Sequence, residues 1–67
     1  MKITLKAARV NAGLSQSEAA EKLGISMSTM NNYEKGATFP DVPTIKKMEE
    51  VYGVGYDDII FLVKKNS

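Results

Sequence analysis

Residues 15–36 read SQSEAAEKLGISMSTMNNYEKG, and this stretch decides the fold of the 67-residue chain. Ser15 and Glu18, three positions apart, form a capping box, in which each side chain satisfies one backbone N–H at a helix start. Helix-forming residues follow as far as Leu23. Gly24 then stands where a helix commonly ends in a left-handed residue. The stretch therefore begins with one short, well-delimited helix.

A second helix begins only about three residues later, a connection length at which two helices turn sharply instead of running antiparallel. Ser26 is expected to cap this helix and Gly36 to end it. The two helices together form a helix-turn-helix unit. The second helix is rich in short, uncharged polar residues that form helices poorly but suit the edges of DNA bases. These residues are Ser26, Ser28, Asn31 and Asn32.

Helical patterns also flank this unit on both sides. A first helix is predicted from its cap Thr4 to about Ala12, with Leu5, Ala8 and Ala12 on its apolar face. A fourth helix follows the cap Asp41 and ends at Gly53, and a fifth is predicted from Tyr56 to about Val63. The expected fold is all-α, a compact five-helix bundle without strands, and residues 1–67 form a single domain of the size that one small core supports.

Composition excludes several classes of function. The chain has no cysteine and no histidine, so neither a thiolate metal site nor the commonest general base is available. The longest apolar run, IIFLV at 59–63, is far shorter than the roughly 20 residues that span a bilayer. The adjacent carboxylates of Asp57 and Asp58 stand at a predicted helix start, without a catalytic partner. We therefore expect a cytoplasmic protein that is not an enzyme and uses no metal, cofactor or membrane.

Charge gives only a weak indication of the partner, because the formal net charge is +1. Residues 1–40 contain five basic and three acidic residues, whereas residues 41–67 contain four basic and five acidic ones. The N-terminal part is therefore the side that is expected to face an anionic partner.

The motif residues resemble the helix-turn-helix of Cro and CI phage repressors, within the wider XRE family. The resemblance extends back to Arg9 and forward through Pro40 to the segment YGVGYDDI, and so covers nearly the whole chain. Its specificity comes from the combined spacing and not from any single residue. The matching residues are Gln16, Ala20, Gly24, Ile25, Tyr33, Glu34 and Gly36.

The resemblance implies two roles within the motif. Arg9 and Glu34 would form a partly buried ion pair that joins the first helix to the end of the third, although two solvated charges are the usual fate of such residues. Gln16, in the first turn of the second helix, would contact a DNA phosphate beside the free N–H groups of the helix start. The alternative for Gln16 is an ordinary exposed side chain.

The resemblance also implies which side chains face the DNA. Met27, Ser28 and Asn32 correspond to positions that read bases in the major groove, where Asn pairs with adenine in bidentate fashion. Met27 departs from the polar residue, often Gln, of many relatives, and it could contact a thymine methyl or pack back against the domain. Contacts to the DNA backbone are expected from Ser26, Asn31, Lys35 and Thr38 in addition to Gln16.

The predicted function is sequence-specific binding of double-stranded DNA by a small prophage-like transcriptional regulator, a repressor that acts as a homodimer on a pseudo-palindromic operator. The apolar residues Ile60, Phe61 and Val63 of the last helix are the expected dimer surface. The alternative is an antitoxin-type subunit that binds a toxin and regulates its own synthesis, because antitoxins also use this fold. The sequence lacks the long disordered or basic extension with which many antitoxins wrap a partner.

Overall fold

The computed structural model of the chain describes residues 2–61, and the helix-turn-helix lies at its centre. Its two helices are α2 (Gln16–Leu23) and α3 (Met27–Lys35). They are preceded by α1 (Leu5–Asn11) and followed by α4 (Val42–Tyr52). Both α1 and α2 pack against α3 and α4. The all-α helix-turn-helix class is confirmed.

The predicted helix ends of the motif are confirmed in detail. The Ser15 hydroxyl accepts from the Glu18 N–H at 3.0 Å, and the Glu18 carboxylate accepts from the Ser15 N–H at 2.9 Å. Gly24 ends α2 with a φ of 70°, in the left-handed region that glycine adopts without steric cost. These local contacts fix the length of α2 and direct the chain into the turn before α3. Equivalent N-caps begin the other helices at Thr4, Ser26 and Asp41.

The core fills the space between the four helices with small and flexible side chains. Met30 of α3 and Met48 of α4 are fully buried at its centre. Ala19 and Ala20 on α2 are also buried, and their small size allows α2 to approach its neighbours closely. The remaining buried apolar residues are Leu5, Ala8, Leu23, Tyr52 and Ile59. Ala12, predicted to end the first helix and to lie on its apolar face, is instead its exposed C-cap.

The predicted fifth helix is wrong within the described residues. Tyr56–Asp58 form one turn of 3-10 helix, and the next two residues form a strand, β2 (Ile59–Ile60). This strand pairs in parallel with β1 (Ile3–Thr4), Ile3 lying opposite Ile59. All four paired residues are β-branched, which favours the extended backbone. Ile59 is buried and Ile60 exposed, the alternation of a strand and not of a helix.

Candidate nucleic-acid interface

The two faces of α3 differ in chemistry. Met30 and Glu34, one turn apart, point into the domain and are buried. The opposite face is polar or solvent-exposed, and along it lie Met27, Ser28, Asn31, Asn32 and Lys35. Because residues four apart share one side of a helix, Ser28 lies in line with Asn32. The helix therefore presents a continuous outward strip of amide, hydroxyl and ammonium groups.

The residues predicted to read bases lie on this outward strip. Met27 is the first residue of α3 and is 51% exposed, so it does not pack back into the core. Ser28 is exposed and Asn32 is half-buried. The carboxamide of Asn32 offers both a donor and an acceptor, the combination that an adenine edge matches. All three side chains are thus at least partly accessible to solvent.

The residues predicted to contact the DNA backbone have more varied surroundings. Lys35 and Thr38 are exposed at the end of α3 and in the following loop, and Asn31 is half-buried. The Ser26 hydroxyl has a structural task, because it accepts from the Thr29 N–H at 3.0 Å and donates to the Thr29 hydroxyl at 2.9 Å. Because a hydroxyl has a single hydrogen, a phosphate contact from Ser26 requires its O–H to turn away from Thr29, while its oxygen can continue to accept from the Thr29 N–H.

Arg9 and Glu34 form the ion pair that the resemblance implies. Arg9 Nε donates to Glu34 Oε2 at 2.7 Å, and the two side chains are 10% and 5% exposed. A second guanidinium nitrogen, Nη2, lies 3.3 Å from Glu34 Oε1, and Nη1 donates to the Leu14 carbonyl at 2.9 Å. The hydrogen bonds to Glu34 raise the pKa of Arg9, and burial only partly opposes this effect. The pair links α1, the segment before α2 and the end of α3.

Gln16 has a partner that its position in the sequence does not indicate. Its amide nitrogen Nε2 donates to Glu34 Oε1 at 3.2 Å, across 18 positions of sequence. Gln16 is the first residue of α2 and its side chain is half-buried. The start of α2 is therefore hydrogen-bonded to the same carboxylate that links α1 to α3.

Tyr52, the buried last residue of α4, is a further member of this neighbourhood. Burial, and secondarily the negative charge of Glu34, raise the pKa of Tyr52 to about 12. Its hydroxyl lies 3.8 Å from the Met30 sulfur, a weak acceptor. Tyr52 is thus a buried core residue close enough to Glu34 and Arg9 for their charges to influence its pKa.

The predicted dimer residues lie at the edge of an apolar patch. Ile60 is 41% exposed, whereas Phe61 is half-buried against the core and Val63 lies outside the described residues. The Phe61 ring centroid is 6.3 Å from that of Phe39 and 5.7 Å from that of Tyr56. We name this surface the aromatic patch; it comprises Phe39, Val42, Tyr56 and Phe61, of which Phe39, Val42 and Tyr56 are more than half exposed.

Neither a metal site nor a membrane-spanning helix is found in the part of the chain that the structure describes. Among residues 2–61, no three acidic, cysteine or histidine side chains cluster as a metal site would require. None of the helices in this range has the length and apolar character to cross a membrane.

Comparison with known proteins identifies the class. A family model described as helix-turn-helix matches residues 5–59, and the chain belongs to this family. The matched range includes α1 to α4 and ends within β2, so all four helices of the described fold belong to the family domain. The membership confirms the resemblance to the XRE family. The prediction that the chain is not an enzyme is also confirmed, because the curated relatives that share this domain are named as transcriptional regulators.

Three curated relatives are transcriptional regulators by name. The chain is 43% identical over 56 residues to the HTH-type transcriptional regulator ImmR of Bacillus subtilis (strain 168), a match that covers 84% of the chain and 44% of the relative. It is 35% identical over 52 residues to the cryptic phage CTXphi transcriptional repressor RstR of Vibrio cholerae, covering 78% of the chain and 47% of the relative. An SPbeta prophage-derived uncharacterized HTH-type transcriptional regulator of Bacillus subtilis (strain 168), YonR, is 38% identical over 60 residues, covering 90% and 53%.

The chain thus spans about half the length of the curated relatives that it matches. The similarity lies in the helix-turn-helix domain. The remaining half of each relative lies outside this similarity, and its function is not inferred for the chain.

Proposed function

We propose that the chain binds double-stranded DNA sequence-specifically and represses transcription. The observation that carries this proposal is the outward strip of α3. Its side chains can donate to and accept from base edges, while its opposite face is fixed in the core through Met30 and Glu34. A helix presented in this way fits the major groove, where each base pair has a distinct pattern of donors and acceptors.

In the proposed complex, α3 lies in the major groove and α2 crosses the backbone. Met27, Ser28 and Asn32 contact bases. Met27 contributes apolar contact to a thymine methyl, because a thioether has no hydrogen to donate. Contacts with the DNA backbone come from Gln16, Ser26, Asn31, Lys35 and Thr38. The names of the relatives support regulation of transcription, and the phage repressor among them favours repression.

The proposed active form is a homodimer on a pseudo-palindromic operator. A single α3 contacts few base pairs, and two copies on half-sites about 34 Å apart would supply the remaining affinity and specificity. Ile60 and the adjoining aromatic patch are the proposed dimer surface, because exposed apolar side chains concentrated in one place mark interaction sites. A ligand of this kind also implies action in the cytoplasm.

Salt dependence tests the proposal for DNA binding. If phosphate contacts dominate, the logarithm of the affinity falls linearly with the logarithm of salt concentration, with a slope of about −0.9 for each phosphate neutralised. Fluorescence anisotropy of a labelled duplex measures this slope. The low net charge predicts a shallower slope than that of a strongly basic domain. Affinity that is unchanged between low and physiological salt would contradict the proposal.

A pair of variants separates positioning from base reading. Gln16→Ala should weaken binding to all duplexes alike, because a phosphate contact does not depend on sequence. Asn32→Ala should lose about 1–3 kcal/mol on the preferred site and relax the preference at one base position. Binding to a panel of single-base variants of the preferred duplex distinguishes the two outcomes. The reverse pattern would mean that a different face of the domain contacts DNA.

A further inference from the structure

The Glu34 carboxylate collects three N–H donors from two different elements. Arg9 Nε donates to Oε2 at 2.7 Å, while Arg9 Nη2 and Gln16 Nε2 lie 3.3 and 3.2 Å from Oε1. An ionised carboxylate only accepts hydrogen bonds. Gln16 must therefore turn the nitrogen of its amide, and not the oxygen, towards Glu34. This fixes the orientation of an amide whose two ends are otherwise nearly equal in shape.

The orientation matters because the two ends of the amide interact oppositely with a phosphate. The nitrogen carries two N–H groups, of which one donates to Glu34, and the second diverges from it within the amide plane. A phosphate oxygen attracts this N–H and repels the amide oxygen. Gln16 is also the first residue of α2, beside the backbone N–H groups at the helix start. Its second N–H is therefore a donor at the end of α2 that favours anions.

We propose that Glu34 is a positioning residue for DNA binding, which acts through Gln16. Glu34 holds one N–H of the Gln16 amide, and the other N–H donates to a phosphate of the DNA backbone. The Arg9 pair in turn holds Glu34 in place. The carboxylate thus links the packing of α1 and α3 to the phosphate contact of α2. This inference rests on the proposed function, since it concerns how the same surface binds duplex DNA.

A double-mutant cycle tests the coupling. The affinity for a labelled duplex of about two helical turns is measured at low salt for the parent, Q16A, E34Q and the double variant, after circular dichroism has established that each is folded. Gln16→Ala should weaken binding about tenfold, the effect of one charge-assisted hydrogen bond. Glu34→Gln should weaken the parent but have no further effect in the Q16A background.

Glu21→Gln is the matched control. Glu21 is an exposed carboxylate on α2, so the variant removes the same charge without touching Gln16. Removal of a negative charge weakens the repulsion of DNA and so raises the affinity of both variants. The effect specific to Glu34 is the difference in affinity between E34Q and E21Q. If Glu34→Gln changes affinity equally in both backgrounds, its role is purely structural and the inference is overturned. A parent that does not bind the duplex at all overturns the proposed function itself, and the inference with it.

Nuclear magnetic resonance of the unaltered chain provides a second test, which does not depend on the folding of Glu34 variants. The two side-chain amide protons of Gln16 are followed while the same duplex is added. We expect the proton that is bonded to Glu34 to keep its chemical shift and the other proton to change its chemical shift. Movement of both protons means that Gln16 leaves Glu34 on binding, and movement of neither means that it contacts no phosphate. Each of these two results contradicts the inference.

Discussion

Removal of one partner of the Arg9–Glu34 pair should destabilise the domain strongly. Arg9→Met leaves the Glu34 side chain, only 5% exposed, with Gln16 as its remaining donor among the contacts described above. An uncompensated buried charge of this kind typically costs about 3–5 kcal/mol. At roughly 0.05–0.15 kcal/mol per residue, the whole domain has only about 3–10 kcal/mol of stability. Since each kcal/mol lowers Tm by about 4–8 °C in a domain of this size, Tm should fall by roughly 12 °C or more.

The double variant R9M/E34L tests whether the Arg9–Glu34 pair has the energetics of a buried or of an exposed pair. Because it leaves no charge unpaired, it should recover much of the stability lost by either single variant. Thermal melts followed by far-ultraviolet circular dichroism, at one pH and one salt concentration, compare the parent, R9M, E34L and the double variant. Lys22→Met is the control, because Lys22 is an exposed base and its loss should leave the melt close to that of the parent. If each single variant lies within about 1 kcal/mol of the parent, so that the double variant has no loss to recover, the pair is exposed and not buried.

The aromatic patch, Tyr52 and Gly24 can each be tested by a single substitution. Val42→Glu, on the aromatic patch, should shift sedimentation towards monomer, whereas Val10→Glu, a comparably exposed valine on α1, should not; equal effects would remove the patch as the dimer surface. The pKa of Tyr52 is raised from about 10 to about 12 in the folded state, so its contribution to stability should be intact below pH 10 and be lost as the pH rises towards 12. Tyr52→Phe should abolish this loss in alkaline unfolding experiments. Gly24→Ala meets no atom within 4 Å but forces a side chain into a φ of +70°, so urea unfolding should show a loss of about 1–2 kcal/mol.

The helix-turn-helix could be predicted from sequence because its determinants are local. The capping box joins Ser15 to Glu18, and the left-handed Gly24 ends α2 through hydrogen bonds to the preceding turn. Interactions of this range depend on residue type and spacing alone. The structure of the segment that follows α4 could not be predicted in this way. The run of apolar residues from Ile59 fits either a helix or a strand, and the parallel partner Ile3 that decides between them lies at the other end of the chain.

Some features of the candidate site could likewise be predicted from sequence, whereas others could not. The periodicity of α3 predicts which residues face outward, and the family resemblance implies the pairing of Arg9 with Glu34. The bond between Gln16 and Glu34 could not be predicted, because a Gln side chain has several rotatable bonds and its partner is 18 positions away. Only the packed arrangement of α1, α2 and α3 determines which acceptor the amide reaches.

Selection of duplexes from a random pool tests most directly whether α3 reads base pairs. The purified chain is incubated with the pool at moderate salt, and bound duplexes are amplified and sequenced over several rounds. If α3 reads base pairs in a dimer, a motif with two related half-sites should be enriched, and the centres of the half-sites should lie about one helical turn apart. The same selection with Asn32→Ala should lose the preference at one position of each half-site. A pool that stays random with the parent chain, or an Asn32→Ala profile identical to that of the parent, would contradict the claim that this helix recognises sequence.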